Sequence, residues 1–403
     1  STLPVIECAV RHFEAGGGII LTASHNPIEW NGIKFISSFE EDATLLSARF
    51  MFRIRKNWDK VRLEEKKEEE IPETVDYLPE YNHEVKEKIK EMIERLSGEK
   101  GLGERLEEKI RRKNFRIGLD ATSLEGARIP LSFLSELGIK EVKVINTGPI
   151  ESCLRRLEPA PEFLDDLRKT IQKDSLDIGF ATDPDQDRIV ALPLLTEEHT
   201  PLLTGKFLME LQSNNLRKPL KKIVVNLSTT SAWEEIAGKH GVEIVRVPVG
   251  EINIVEGMKK TKTFLGIEGN GGVIVSSINY GRNSTVAMAL LLFYLAWRNK
   301  NLTELEKELP RYCMVKDKIE LPGREIHSFL EERIKRIWKD KREQVKYMDT
   351  RDGYKILFKD FSWVHLRPSN TEPIVRIFAE KREASREEVK ELVVNIKNFF
   401  IEK

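Results

Sequence analysis

The amino-acid sequence predicts an α/β protein of several successive units that ends in a smaller α+β unit. Three observations carry that expectation. Apolar strands alternate with amphipathic helices between Phe115 and Trp297, the pattern of a parallel sheet flanked by helices. Beyond Asp317 the pattern changes to short strands bracketed by two helices. The 403 residues also exceed what a single core ordinarily serves.

At the start, Gly18 to Leu21 reads as a buried strand preceded by a glycine run, with Thr22 to Pro27 as the loop that leaves it. From Asn57 to Asn114 the composition shifts to Lys and Glu. Within it Val85, Ile89, Met92, Ile93 and Leu96 keep helical spacing, which predicts an amphipathic helix over Asn82 to Leu96. The charge run Glu64 to Glu70 reads as a solvated connector. A new unit begins at Phe115: strands Arg116 to Asp120, Val142 to Ile145 and Asp177 to Ala181 alternate with helices Gly126 to Leu137 and Phe163 to Gln172. The alternation resumes after Pro201 with helix Gly205 to Gln212, strand Ile223 to Leu227, helix Ala232 to His240 and strand Glu243 to Val247. Helix Val286 to Trp297 follows. Two units of similar size in succession hint at structural duplication. In the last unit, strands Asp317 to Leu321, Gln344 to Met348, Tyr354 to Phe358 and Trp363 to Leu366 lie between helices Ile326 to Trp338 and Ser385 to Phe400. The expected divisions are 1–113, 114–198, 199–312 and 313–403.

Composition narrows the function classes. Charged residues make up 33% of the chain, but 66 basic residues balance 66 acidic ones. Nucleic acids and anionic membrane surfaces select a basic excess, so neither is expected as a partner. No run of eighteen or more apolar residues occurs, so no membrane span is expected. Cys8, Cys153 and Cys313 are far apart and odd in number, suiting neither a disulfide framework nor a zinc site. That fits a reducing cytosol.

Four loops carry chemistry. In Thr22-Ala23-Ser24-His25-Asn26-Pro27, a serine at a strand's end sits where backbone N–H groups can hold an anion. His25 can polarise or position the group, and Lys34 can neutralise phosphate charge. A Ser-His pair in a turn also bonds readily to local backbone, and no Gly-x-Ser-x-Gly elbow surrounds Ser24. The second loop, Asp183-Pro184-Asp185-Gln186-Asp187-Arg188, lies between two apolar strands, Ile178 to Ala181 and Ile189 to Leu192. Three carboxylates there repel one another unless a hard cation joins them, and oxygen-only ligands select Mg²⁺ or Ca²⁺ over zinc. The EF-hand pattern fails, because Arg188 and Leu194 stand where it needs glycine and glutamate. In the third loop, Gly266 to Gly272, Glu268 and Asn270 project from flexible backbone and suit paired sugar hydroxyls, although an ordinary glycine turn reads the same way. In the fourth, Arg367-Pro368-Ser369-Asn370-Thr371-Glu372-Pro373 with Arg376, two arginines, two hydroxyls and the turn's N–H groups form a cradle for a phosphate dianion.

In this order the four loops resemble those of the α-D-phosphohexomutase superfamily, over Thr2 to Glu380. The resemblance is strongest at Thr22 to Pro27, Asp183 to Arg188 and Arg367 to Pro373. It implies successive α/β domains with mixed sheets around one central cleft, closed by a C-terminal α+β domain. It further implies that Ser24 is a phosphoserine sharing Mg²⁺ with Asp183, Asp185 and Asp187, and that Arg188 neutralises its phosphate. Lys34 becomes a candidate acid–base residue. Glu268 and Asn270 would hold sugar hydroxyls, while Arg367, Ser369, Asn370, Thr371 and Arg376 would hold the phosphate that is not transferred. The implied partners are hexose phosphates, with a hexose 1,6-bisphosphate as intermediate and activator, a cytoplasmic setting, and a homodimer as a family-level expectation. Two departures stand out. The family's arginine-bearing glycine-rich segment and Asp-Thr-Arg loop upstream of the serine are absent, so about half of the first domain is expected to be missing, exposing apolar faces. Gly272 stands where many members carry histidine. A non-catalytic sugar-phosphate-binding relative is therefore the competing reading, ahead of a metal-dependent phosphatase.

Overall fold

The computed structural model describes residues 1–27, 29–38, 42–58, 60, 74–321, 326–369 and 373–401. The charge run 64–70, Asn370 and Thr371 lie outside the described residues. The first unit holds helix α1 (Leu3–His12) and strands β1 (Gly17–Leu21), β2 (Ile33–Ser37) and β3 (Thr44–Leu45). These strands form an antiparallel sheet in the order β1-β2-β3. One face, through Ile20 and Ile36, packs with Leu3 and Val10 of α1, while Ile19 and Leu21 on the other are exposed. Helices α2 (Ala48–Trp58), α3 (Leu78–Ser97) and α4 (Leu102–Lys113) follow.

The expected amphipathic helix is α3, one turn longer at its start. Its stripe of Tyr81, Val85, Ile89, Met92, Ile93 and Leu96 is fully or almost fully buried. Each such side chain contributes about 1.5–3 kcal/mol of burial. Helix α4 was not expected, because its surface is dense in charge. Its apolar residues are few but fall at Leu102, Leu106 and Ile110, one face of a helix, and all three are buried.

The second unit contains β4 (Ile117–Asp120), α5 (Leu124–Glu136), β5 (Val142–Ile145), α6 (Asp165–Lys173), β6 (Ile178–Thr182) and β7 (Ile189–Leu192). The third contains α7 (His199–Leu211), β8 (Lys222–Asn226), α8 (Ala232–Lys239), β9 (Glu243–Val247), α9 (Glu251–Thr261), β10 (Leu265–Glu268), β11 (Gly272–Val275), α10 (Ser284–Arg298) and α11 (Leu302–Glu306). Their sheets, β5-β4-β6-β7 and β9-β8-β10-β11, share one topology: three parallel strands and an antiparallel fourth. The sheets are therefore mixed, the last two strands of each forming a hairpin. Helix α10 is buried from Ser284 to Ala296. Together with α3 and α4 it joins both sheets into one continuous core.

The last unit is separate in core and pairing. Strands β12 (Tyr312–Glu320), β13 (Val345–Asp349), β14 (Tyr354–Phe358), β15 (Trp363–Pro368) and β16 (Ile374–Arg382) form an antiparallel sheet ordered β12-β16-β15-β14-β13. It is covered by α12 (Ile326–Lys341) and α13 (Arg386–Ile401). Strand β16 was not anticipated from sequence. Among the described residues no helix is long and apolar enough to cross a membrane.

Polar contacts fix this unit against the third. Trp363 Nε1 and the Ser231 N–H both donate to Glu380 Oε1, at 2.7 and 2.8 Å. His365, fully buried, lies 2.6 Å from the Asp352 carbonyl through Nε2 and 2.8 Å from Ser228 Oγ through Nδ1. A carbonyl only accepts, so Nε2 carries the proton and Nδ1 accepts from the serine hydroxyl. Burial above all holds His365 down to about 4. Its unfolded value lies near 6.5, so the unfolded chain takes up the proton first. The stability it secures is present above about pH 6.5 and drains away as pH falls towards 4, by up to about 3 kcal/mol. Urea unfolding of the wild type and His365→Gln, followed by tryptophan fluorescence across that window, checks this: the variant should lose that share of the pH dependence, and identical slopes would refute it.

Candidate active site

The acidic loop closes the β6–β7 hairpin. Asp183, Asp185 and Asp187 are buried, and one oxygen from each lies within 4.8 Å of the others. Asp183 Oδ2, Asp185 Oδ1 and Asp187 Oδ1 are buried without hydrogen-bond partners. Three buried carboxylate oxygens without partners cost several kcal/mol unless a cation takes them. Burial, then Asp187 and Asp185, push Asp183 well above the usual carboxylate range. At Asp187 burial is outweighed by Arg282, Lys34 and Arg188, which pull it below that range. The donor set, hard oxygens only, fits a Mg²⁺-like ion. Gln186 in this loop has φ 56°, and the Arg188 N–H donates to Asp183 Oδ1 at 3.1 Å. Arg188 Nη1 donates to Glu158 at 3.0 Å, and its Nε stands 3.7–3.8 Å from Asp187 and Asp183.

The serine loop reaches this site through its neighbours. Ser24 has φ 54°, a left-handed conformation uncommon for a non-glycine residue. Its N–H donates to Thr22 Oγ1 at 2.8 Å, and its Oγ lies 3.2 Å from His25 Nδ1. Burial, then the charge of Arg188, lower His25 to about 4, so the ring is neutral at pH 7. Lys34 stands opposite Ile20 across the β1–β2 register. Its Nζ donates to Asp185 at 2.6 Å and to Asp187 at 3.5 Å. Burial alone would lower its pKa; Asp187 and Asp185 outweigh that and raise it, so Lys34 is a firm ammonium and suits the acid rather than the base role.

The third loop, Gly266 to Gly272, closes the β10–β11 hairpin, the position in the third unit that the acidic loop holds in the second. The two hairpins touch: the Ile189 N–H lies 3.4 Å from the Gly271 carbonyl. Glu268 accepts from Asn270 Nδ2 at 3.1 Å and from Arg282, whose guanidinium also donates to Asp187 and to Glu251. Asn270 Oδ1 is buried with no partner. Sequence reasoning missed Arg282, because a lone arginine in the loop before α10 carries no local motif.

The fourth loop closes the β15–β16 hairpin. Arg367 pairs with Arg376 across these strands, and Arg376 pairs with Lys318 of β12 on its other side. Three cations thus share one cross-strand row, of which Lys318 pairs with Glu320 at 2.8 Å and Arg367 with Asp352, and a row of this kind suits an anion. Lys318 was missed although Lys316 and Lys318 alternate along one strand face. Arg367 Nε is oriented by both carboxylate oxygens of Asp352, at 2.9 Å.

All four loops open on one cleft of about 820 Å³, lined among others by His25, Arg188, Glu268, Asn270, Ser369 and Arg376. Glu198, also on the cleft, was not anticipated; burial raises it to about 8.

Comparison with known proteins gives a consistent result. Four family models match in chain order, described as phosphoglucomutase/phosphomannomutase alpha/beta/alpha domains I (residues 1–62), II (100–193) and III (202–312) and the C-terminal domain (319–398). A phosphoglucosamine/phosphogalactosamine mutase of Sulfurisphaera tokodaii is 30% identical, over 94% of this chain and 79% of its own length. A phosphoglucomutase/phosphomannomutase of Thermococcus kodakarensis is 27% identical, over 98% and 81%. Among solved structures, the open form of the Paramecium phosphoglucomutase parafusin has a TM-score of 0.73 at 19% identity, covering 99% of this chain and 81% of that one. Aspergillus fumigatus N-acetylphosphoglucosamine mutase with GlcNAc-6P and magnesium has a TM-score of 0.60 at 16% identity, covering 98% and 92%. At these identities the structures speak for the fold.

The contact between the hairpins depends on glycine at 271, where φ is +93° and an added Cβ would stand 2.4 Å from the Ile189 carbonyl oxygen. Gly271→Ala should therefore destabilise the protein by about 1–3 kcal/mol. Thermal unfolding measures it, and an unchanged midpoint would show that the hairpins do not meet this way.

Proposed function

The chain belongs to the phosphoglucomutase/phosphomannomutase family, and on that ground we propose that it is a phosphohexomutase. It would interconvert hexose 1-phosphates and 6-phosphates through a phosphoserine at Ser24 and a bisphosphorylated sugar. The observation that carries the proposal is the convergence of four separate loops, two anionic and two phosphate-seeking, on one cleft. Glucose, mannose and glucosamine phosphates are the substrate candidates, the relatives being named for gluco-, manno- and amino-sugars.

Asp183, Asp185 and Asp187 would hold a divalent ion, best Mg²⁺, through the three oxygens that lack partners. Such an ion supplies charge stabilisation to the phosphoryl group in transfer. The chain's own residues account for the rest. Arg188 and Lys34 would offset the phosphate's negative charge. Neutral His25 would hold the Ser24 oxygen through their 3.2 Å contact. The cleft's far wall, Arg367, Arg376 and Lys318 with Ser369, would grip the phosphate that is not moving, as would Asn370 and Thr371. Glu268 would accept from one sugar hydroxyl, and Asn270 would pair with a second. In the first half-reaction the bond from phosphorus to Ser24 Oγ would break as that to the sugar oxygen forms. The proton lost by the sugar hydroxyl would pass to an oxygen of the transferred phosphate, Lys34 would give one to the leaving serine oxygen, and the phosphate's proton would restore Lys34. The bisphosphorylated sugar then turns over in the cleft, and Ser24 takes the other phosphate. Two fixed phosphate sites serve both halves only with that rotation. A phosphatase would gain nothing from the second clamp.

The test is incubation with Mg²⁺ and glucose 1,6-bisphosphate, followed by intact mass and a coupled assay of 1-phosphate to 6-phosphate conversion. One phosphate should appear on Ser24. Ser24→Ala should take up none and lose about 10³-fold or more in kcat. A wild type that stays unphosphorylated and matches Ser24→Ala in the assay would end the proposal, and release of inorganic phosphate at the turnover rate would make it a phosphatase.

A further inference from the structure

Arg282 belongs to none of the four loops, yet its guanidinium lies where two of them meet. Its side chain is only 9% exposed. One terminal nitrogen, Nη2, donates to Asp187 in the acidic loop, and the other, Nη1, donates to Glu268 in the sugar loop. Its Nε donates to Glu251 at 3.1 Å, and its backbone N–H donates to the second oxygen of the same carboxylate, also at 3.1 Å. A guanidinium is a rigid plane with donors at fixed angles. With Nε anchored on Glu251, the two terminal nitrogens cannot move independently. The arrangement leaves Asp187 Oδ1 without a hydrogen bond, 3.7 Å from Arg188 Nε, while the other oxygen is held. It also orients Glu268, which is shared with Asn270. The space for the arginine stem is reserved: a Cβ added to Gly272 would stand 2.4 Å from Arg282 Cδ and 2.9 Å from its Cγ.

We infer that Arg282 couples the two sites, one guanidinium setting the angle of the metal-loop carboxylate Asp187 and of the sugar-loop carboxylate Glu268 together. Occupation of the acidic loop by a divalent ion then tightens hexose-phosphate binding, and the sugar phosphate tightens the ion by the same factor. This rests on the mutase reading and adds to it a positioning residue and the glycine that makes room for it. Asp187 and Glu268 touch the ligands; Arg282 acts through them.

Calorimetry on the chain tests the inference. Mn²⁺ and glucosamine 1-phosphate are each titrated alone and in the presence of the other, with unfolding curves recorded for every variant. In the wild type each ligand should tighten the other by about 5-fold or more. Arg282→Lys, whose point-like ammonium cannot span three carboxylates, should weaken Mn²⁺ about 10- to 100-fold and bring the mutual tightening close to one. Gly272→Ala keeps the arginine but displaces its stem, and should abolish the same tightening; combined with Arg282→Lys it should add little. Where Arg282→Lys fails to fold, Gly272→Ala carries the test. Folded variants that retain wild-type tightening overturn the inference, as does a wild type that binds both ligands independently. A wild type that binds neither Mn²⁺ nor any of the glucose, mannose and glucosamine 1-phosphates removes the mutase reading along with it.

Discussion

Buried negative charge organises this molecule. Asp183, Asp185, Asp187, Glu251 and Glu268 are buried close together, and among the described residues Lys34, Arg188 and Arg282 pair with them. Carboxylates outnumber their partners, and burial magnifies every imbalance. The opposed fates of Asp183 and Asp187, one pushed up and one pulled down, are the electrostatic signature of a cluster that cannot ionise completely by itself. Apolar strands could not supply this cluster. It forms because loops from three units are brought to a single point by sheets whose cores are elsewhere.

The duplicated topology explains how. The second and third units build the same four-stranded sheet, and in both the closing hairpin, third strand to antiparallel fourth, carries the functional turn. One copy of the turn holds aspartates and the other holds Glu268 and Asn270, and the two make backbone contact through Ile189 and Gly271. The last unit repeats the device in a different sheet, since its phosphate-seeking loop also closes a hairpin, β15–β16. There Lys318, Arg376 and Arg367 stand in one cross-strand row, with Glu320 beside Lys318 and Asp352 beside Arg367. Its place on the cleft wall is what an anion site requires.

Much of this was legible in the residues. The alternation of strands and helices gave the α/β units, and three aspartates between apolar strands marked the acidic turn before any geometry was known. What escaped was of two kinds. Helix α4 hid because a stripe of only Leu102, Leu106 and Ile110 is enough to pack it, leaving charge to dominate its composition. Strand β16 hid because its alternation carries Arg376, which is exposed, and Phe378 towards the cleft, and the arginine interrupts the apolar run. Arg282, Glu251 and Lys318 belong to the second kind. Each is ordinary in its local sequence, and only the meeting of distant segments assigns it a partner, so no spacing rule reports it. The strained backbone at Ser24 and Gln186 was equally invisible, since neither residue type demands positive φ.

The two ends of the cleft are joined by more than the cavity between them. Arg367 is oriented by Asp352, and Asp352 also accepts from the Val249 N–H at 2.8 Å, so the clamp of the last unit is tied to the segment that begins α9. Two residues on, Glu251 anchors Arg282, which reaches Asp187. Hydrogen bonds, joined by the backbone from Val249 to Glu251, thus link Arg367 to the acidic turn. Contiguity of this kind does not by itself demonstrate energetic coupling. It does set a mechanical condition: the last unit cannot shift against the third while keeping Asp352 on Val249 unless the start of α9 moves too. In the proposed reaction, a sugar turning over between two phosphate sites would need both to hold their separation while it moves. A clamp bolted to the same backbone that orients the acidic turn meets that need.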